Sequence, residues 1–369
     1  MDDPTIREAR ERIDRLDAEI VSRLQARARI AVEIGATKTA SRRSAYAPDR
    51  ERDVIERVRA LAGDGPLTDA HLAAIYRQVI SACRALEREI RVGYFGPPAT
   101  FTHQAALERF GESATFVPFD TIPEVFTETQ LGHVDYGVVP VENSTEGAIL
   151  LTLDSLVDTD VRVCSEVVLP ISMQLLSRAA SREEVRTVYS IPVALAQCRG
   201  WVARNLPGCE IVDAASTARA AIMAAEDRTG AAIGPALAAA EYGLNILERD
   251  IQDLAANYTR FYVIGRTASS APTGRDKTAI LFSIRDHVGA LRDVADVFAR
   301  RGVNMSSIQS RPSRRRAWDY IFFVELAGHE QDAVIAEALT ELKALSAYLK
   351  VLGSWPVDES ATLPTAPLP

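Results

Sequence analysis

Three stretches of this chain hold side chains whose types and spacing can do chemistry. The first contains Arg10, Arg27, Lys38, Arg50 and Glu51, followed by Cys83 and Glu87. Arg27 and Lys38 are eleven residues apart, which on a helix returns them to within about 20° of each other, so they share a face. Arg10 and Arg27 are seventeen apart, about 100° in rotation and roughly 25 Å in rise. One small ligand cannot be gripped by both from one helix. If the four cations act together, Arg10 comes from another chain. Cys83 and Glu87, four apart, share a helical face. Such a set suits a compact anion, although charges on a long helix are otherwise simply solvated.

The second stretch holds hydroxyls and amides at element ends. Thr100 and Thr102 follow Gly96-Pro97-Pro98 and can cap a helix or line its N-terminus for a carboxylate. Glu142-Asn143-Ser144-Thr145 closes the apolar run "YGVVPV". Ligands bind open α/β sheets at the carboxyl ends of strands, and a capping turn is the plainer reading. Thr259-Arg260-Phe261 opens another strand. In the third stretch, Gly289 and Ala290 leave backbone N–H groups at a helix start, where an amino-acid carboxylate can bind. Asn304 follows Gly302 and can take an amino group.

Elements must position these groups. Ile6, Ile13, Leu16, Ile20, Leu24, Ala31 and Ile34 recur at three- and four-residue steps, which predicts one helix over 5–40, roughly 50 Å long. A helix of that length buries its stripe against something extended, often a second copy of itself. A polar loop over 41–48, a helix over 49–61 and a third from a Thr68 or Asp69 cap to about 89 complete an all-α region. From Arg91 short buried strands alternate with helices to about Gly265, predicting parallel α/β sheets in two lobes around a cleft. Thr267 to Lys277 reads as a linker. The pattern then runs βαββαβ, the ferredoxin-like order, and a Pro-rich tail follows. The predicted domains are 1–90, 91–267 and 278–355, with a disordered tail over 356–369.

Composition excludes several classes. The net charge of −8 argues against a nucleic-acid binder, and "RPSRRR" at 311–316 reads as a solvated hairpin. Residues 1–90 carry 17 Lys+Arg against 16 Asp+Glu, so this piece is basic for its setting. No apolar run reaches the ~18 residues a membrane helix needs. The charged first twelve residues are no signal peptide. The four cysteines and five histidines lack metal-binding spacing. These features predict a cytoplasmic protein with no membrane or nucleic-acid partner.

"IREARERIDRLDAEIVSRLQARARIAVEIGATK", "DRERDVIERV" and "IYRQVISACRALE" resemble the all-helical chorismate mutases. That resemblance implies an intertwined dimer, with one arginine reaching in from the partner, and a pericyclic rearrangement needing no metal or cofactor. It implies that Arg27 and Arg10 hold carboxylates, Lys38 donates to the ether oxygen, Glu51 binds the substrate hydroxyl and Arg50 supports. Cys83 and Glu87 would sit over the substrate. Cys83 stands where serine is frequent and Glu87 where some members have glutamine. A carboxyl group must be protonated to donate, so mutase activity should fall as pH rises.

Residues 96–103, 139–144, 192–198, 216–221 and 259–261 resemble the motifs of prephenate dehydratases, a two-lobed fold like that of periplasmic solute-binding proteins. The departures are Ala99 for glycine, and Ile191 and Val193 for His and Gln. The resemblance implies Thr259 as donor to departing hydroxide, polarised through a neighbour such as Glu142. It implies Thr100, Phe101, Thr102, Asn143, Ser144, Thr145, Gln197, Ser216, Thr217, Arg260 and Phe261 as substrate contacts. Gly289-Ala290-Leu291 and Gln309-Ser310-Arg311-Pro312, with Asn304, resemble the ligand segments of the ACT domains of such enzymes, Gln309 replacing glutamate. This implies phenylalanine sensing between chains, hence a homodimer or dimer of dimers. Chorismate, prephenate and phenylalanine are the expected ligands. Two alternatives stay open: a dehydratase whose mutase region only dimerises or regulates, and a two-lobed module that binds without catalysis.

Overall fold

The computed structural model describes residues 4–40, 46–254, 256–267, 271–285, 287–312 and 320–357. Parts of the predicted 41–48 loop, the linker, the 311–316 hairpin and the tail lie outside them. The chain divides into two compact units, one holding residues 1–90 with Phe110–Thr115 and the other the remainder.

The first unit is helical. No proline interrupts between Pro4 and Pro48, and α1 (Pro4–Ala40) runs unbroken for 37 residues, about 55 Å. Much of its apolar stripe is open: Ile13 is 55% and Leu16 57% exposed. Pro48 sits in the first turn of α2 (Pro48–Ala60), where its missing N–H costs nothing. Thr68 caps α3 (Asp69–Glu87), accepting from the His71 N–H at 3.3 Å while the His71 ring accepts from the Thr68 N–H. Phe110–Thr115 joins this unit because Ser81 donates to the Phe110 carbonyl at 2.8 Å. A Cβ on Gly111 would lie 2.5 Å from Ser81, so only glycine fits there.

The second unit opens with a lobe containing β1 (Arg91–Phe95), α4 (Phe101–Phe110), β2 (Thr115–Phe119), α5 (Ile122–Leu131), β3 (Tyr136–Asn143), β4 (Gly147–Ala148), α6 (Leu150–Asp158) and β5 (Arg162–Pro170). A second lobe contains β6 (Gln174–Ser177), β7 (Thr187–Ser190), α7 (Pro192–Gln197), α8 (Arg199–Asn205), β8 (Glu210–Asp213), α9 (Thr217–Glu226), β9 (Gly230–Gly234), α10 (Ala236–Tyr242) and β10 (Asn245–Glu248). The chain then returns as β11 (Tyr258–Gly265) to the first sheet, ordered β2-β1-β3-β11-β5 with β4 on β3; the second sheet is β10-β6-β9-β7-β8. Two crossings between lobes give the expected layout of solute-binding proteins. The sheets are mixed rather than parallel. β11 is antiparallel to both β3 and β5 because it re-enters from the opposite end.

The C-terminal region comprises β12 (Asp276–Ile284), α11 (Ala290–Ala299), β13 (Met305–Pro312), β14 (Tyr320–Ala327), α12 (Ala333–Leu345) and β15 (Ser346–Pro356). This is the βαββαβ order, with sheet order β13-β14-β12-β15. Period-2 alternation divides β12. Ile280 and Phe282 face α11 and α12, whereas Ala279 and Leu281 join a core shared with Leu153, Leu156 and Tyr262 of the first lobe. A Cβ on Gly353 in β15 would lie 2.1 Å from the Val163 carbonyl oxygen in β5, so the two sheets approach closely there.

Candidate active sites

Helices α1, α2 and α3 enclose a cavity of about 450 Å³ lined by Arg27, Lys38, Arg50, Glu51, Cys83 and Glu87 among others. These are the six same-chain residues grouped from sequence. Arg10 does not line the cavity, as its distance along α1 requires. The carboxylates are taken up by cations: Lys38 Nζ lies 2.8 Å from Glu87 Oε2, and Arg84 pairs with Glu51 Oε1. Arg27 and Arg50 form no ion pair among the described residues. The cavity therefore offers two uncommitted guanidiniums, the complement of a dianion. Arg84, which sequence reading missed, is 5% exposed. Its neighbour Cys83 drew attention only through pattern, and nothing local distinguishes Arg84 from a solvated helix arginine.

The second cluster forms where β3 meets β11. The register skips Val141, placing Asn143 opposite Thr259 and Glu142 opposite Arg260. Alternation then sends the first pair to one face of the sheet and the second pair to the other. Asn143 Oδ1 accepts from the N–H groups of Thr145 (2.9 Å) and Glu146 (3.1 Å) and from the Thr145 hydroxyl (2.6 Å). Those backbone donors fix the amide orientation. Nδ2 therefore donates, reaching Thr259 Oγ1 at 2.8 Å and Asn257 Oδ1 at 3.0 Å. A hydroxyl that accepts from an amide keeps its own hydrogen for another acceptor. Gln197 closes the cluster from the second lobe, accepting from Asn257 Nδ2 at 2.9 Å and donating to Thr145 Oγ1 at 3.4 Å. Ser144 Oγ accepts from the Tyr258 N–H at 2.9 Å, holding the turn. Asn257 was missed, although its spacing of two and four from Thr259 and Phe261 puts it in the same alternating set.

Other expected contacts have structural partners. Thr100 Oγ1 accepts from the His103 N–H (3.3 Å) and Ser216 Oγ from the Arg219 N–H (3.0 Å), so both act as helix caps. Thr102 and Thr217 are buried at the starts of α4 and α9, and Phe101 is half-buried. Ala99 sits at φ 64° and is fully buried, a left-handed conformation that explains why glycine is usual there. Burial pushes the Cys198 thiol up to about 12, with Asp253 adding to it. That sulfur is no thiolate at neutral pH.

Glu142 and Arg260 need correction. Neither reaches Thr259, because both point to the opposite face. Arg260 pairs there with Glu142 (2.8 Å), Glu166 (3.3 Å) and Glu325 of β14 (2.6 Å). Lys277 of β12 adds a 2.7 Å pair to Glu166, and the Tyr262 hydroxyl donates to Glu325. Burial opposes the Arg260 charge, but Tyr262, Glu325 and Glu166 outweigh it and raise its pKa. Burial likewise opposes the Glu325 charge, and Arg260 outweighs it, holding the carboxyl below its ordinary range. The side chain that bonds Thr259 is Asn143, and Arg260 braces the C-terminal sheet.

In the C-terminal region, Gly289 (φ 87°) precedes α11, and the Ala290 N–H already donates to the His287 carbonyl at 3.1 Å. That group is not open, contrary to expectation. Leu291 is exposed. The Asn304 carbonyl accepts from the Ala327 N–H at 2.9 Å, and its side chain is exposed. Ser310 and Pro312 are exposed on β13. Gln309 and Arg311 face the first lobe: Gln309 lines a cavity of about 30 Å³ with Glu325 and Arg260. Arg311 bonds the Leu150 carbonyl and Asp154 of α6, each at 2.7 Å. The four-residue segment is thus split between two faces.

Comparison with known proteins agrees with this division. Family models match in order: chorismate mutase type II over residues 9–88, prephenate dehydratase over 92–269 and the ACT domain over 278–344. The bifunctional chorismate mutase/prephenate dehydratase of Aquifex aeolicus is 47% identical over 354 residues, spanning 95% of this chain and 98% of that protein. The protein of the same name from Stutzerimonas stutzeri is 41% identical, spanning 94% and 96%. The crystal structure of the Arthrobacter aurescens prephenate dehydratase in complex with L-Phe superposes with a TM-score of 0.68 at 35% identity, covering 73% of this chain and 90% of that one. A cation-lined helical cavity, a threonine–asparagine cluster between two lobes and a ferredoxin-like sheet thus stand in one chain, and that chain belongs to the bifunctional chorismate mutase/prephenate dehydratase family.

Proposed function

We propose that the helical cavity rearranges chorismate to prephenate, that the Thr259 cluster converts prephenate to phenylpyruvate, and that phenylalanine at the C-terminal domain restrains the second step. What carries the reading is the pair of uncommitted guanidiniums in the cavity, which match a dicarboxylate. Arg27 and Arg50, joined by Arg10 from a partner chain, clamp a compact conformer of the substrate. Lys38 donates to the ether oxygen, where negative charge develops. Glu87 accepts from Lys38. Glu87→Gln removes the charge that holds Lys38 and should change kcat for chorismate; a parental kcat removes Glu87 from the step.

In the dehydratase step, electrons of the breaking C–CO₂ bond aromatise the ring and expel hydroxide, which takes a proton to leave as water. Thr259 donates a hydrogen bond to the departing oxygen while accepting from Asn143, a chain in which each bond strengthens the next, and the hydroxide released takes its proton from solvent. Thr259→Ala should abolish phenylpyruvate formation from prephenate and leave chorismate consumption intact; loss of both activities would mean that the two sites are not separate. Feedback is supported by the ACT match and by the relative solved with L-Phe, and adding phenylalanine should slow phenylpyruvate formation. The open stripe on α1 supports a dimer. No described helix is long and apolar enough to cross a membrane. All four cysteines are thiols, which fits work in the reducing cytoplasm.

A further inference from the structure

A buried arginine beside the mutase cavity has no role in the pattern that assigns the other residues. Arg84 is 5% exposed, and Glu51 is its only ion-pair partner among the described residues. Its second nitrogen donates to the Phe110 carbonyl, and the guanidinium lies 5.7 Å from the Tyr46 ring centre and 5.4 Å from that of Phe110. Arg84 is thus anchored from behind and presents one nitrogen forward. The bond to Glu51 uses Oε1 alone. Oε2 accepts no hydrogen bond from the described residues, so it is left to accept from a ligand hydroxyl.

Charge explains why this matters. The cavity is lined by Arg27, Lys38, Arg50 and Arg84 against Glu51 and Glu87, an excess of two positive charges. Without Arg84 the excess falls to one, and a bare carboxylate stands where a dianion must enter. In a partly desolvated cavity an uncompensated charge is expensive and acts on any ligand nearby.

We infer that Arg84 is a positioning and specificity residue of the mutase site: it neutralises Glu51 and turns its free oxygen toward substrate, so that the cavity keeps the double positive charge a dicarboxylate requires. The inference rests on reading this cavity as the mutase site. Arg84 acts through Glu51 and is not itself a catalytic residue.

A double-mutant cycle on the full chain tests it, with KM and kcat for chorismate measured in the parent, R84L, E51Q and R84L/E51Q. With Glu51 present, R84L should raise KM about tenfold or more, the loss expected when one member of a buried charge pair is left alone. With Gln at 51, the same replacement should change KM less than about threefold, since the coupling is gone. Equal penalties in both backgrounds would overturn the inference and make Arg84 a packing residue. Helical circular dichroism and the thermal unfolding of the full chain report folding of the α1–α3 unit. Should R84L not fold, R84K serves: a KM within about threefold of the parent supports the electrostatic role, and a tenfold loss with charge retained overturns it. An Arg27→Ala arm separates the underlying reading. If that variant turns over chorismate like the parent, the cavity is not the mutase site, whatever the cycle shows.

Discussion

The hydrogen on Thr259 depends on the direction of one bond. Because three donors saturate Asn143 Oδ1, Nδ2 must point at the threonine, and the threonine hydrogen stays available. Asn143→Asp keeps the acceptor that builds the turn and reverses this bond, since a carboxylate can only accept. The threonine hydrogen is then committed to Asp. Dehydratase kcat should fall roughly 10²-fold or more with the turn intact, measured as phenylpyruvate release; a variant with parental kcat would remove Asn143 from the step. Much of this was legible at the level of residue types. Thr259, Asn143, Thr145 and Gln197 were all named from their motifs, and they meet. What was not legible is which neighbour serves Thr259. Glu142 and Arg260 are adjacent in sequence to Asn143 and Thr259, and it is alternation across the sheet that separates them. Ala99 is the converse case: a departure from glycine in the sequence acquires its meaning only from its left-handed φ.

Among elements, periodicity foretold the three helices and the βαββαβ order because each follows from local spacing. It misjudged sheet direction, since nothing local tells a strand from which end it will be approached. It was equally blind to the partners of β11. Glu325 on β14 is 65 residues from Arg260, and no short-range signal links them. The Arg260–Glu325 pair has a thermodynamic signature. The folded-state pKa of Glu325 lies below its ordinary 4.5. Its stabilisation is therefore present above the unfolded value and is lost as pH falls through the folded one. Glu325→Gln should cost about 3 kcal/mol at pH 7, as when a buried pair loses one partner, and the deficit should shrink as pH drops below 4.5. Urea unfolding at neutral and acid pH measures this; a deficit independent of pH would show that the cost comes from packing.

For the whole molecule, α1 sets the largest demand. Its open Ile13 and Leu16 suit the proposed contact with a second chain, and Arg10 is too far along the helix to serve its own cavity. Ile13→Asp with Leu16→Asp should dissociate the assembly in sedimentation and abolish chorismate turnover. Some phenylpyruvate formation from supplied prephenate should persist; retention of full mutase activity by a monomer would refute the partner-arginine reading. The grouping of Phe110–Thr115 with the helices had no trace in the sequence, because it depends on a fold that brings Ser81 and Arg84 to a segment far along the chain. One more feature reaches beyond the sites. The C-terminal sheet holds α6 at both ends, Arg311 at its first turn and Lys350 on the Leu156 carbonyl at its last, and shares a core with the lobe that carries Thr259. A domain welded in this way is not a detachable accessory. Cutting it off would strip that lobe of a wall, take Glu325 from Arg260 and leave the buried Glu166 without Lys277, so the C-terminal sheet and the lobe's ability to fold have been inherited together.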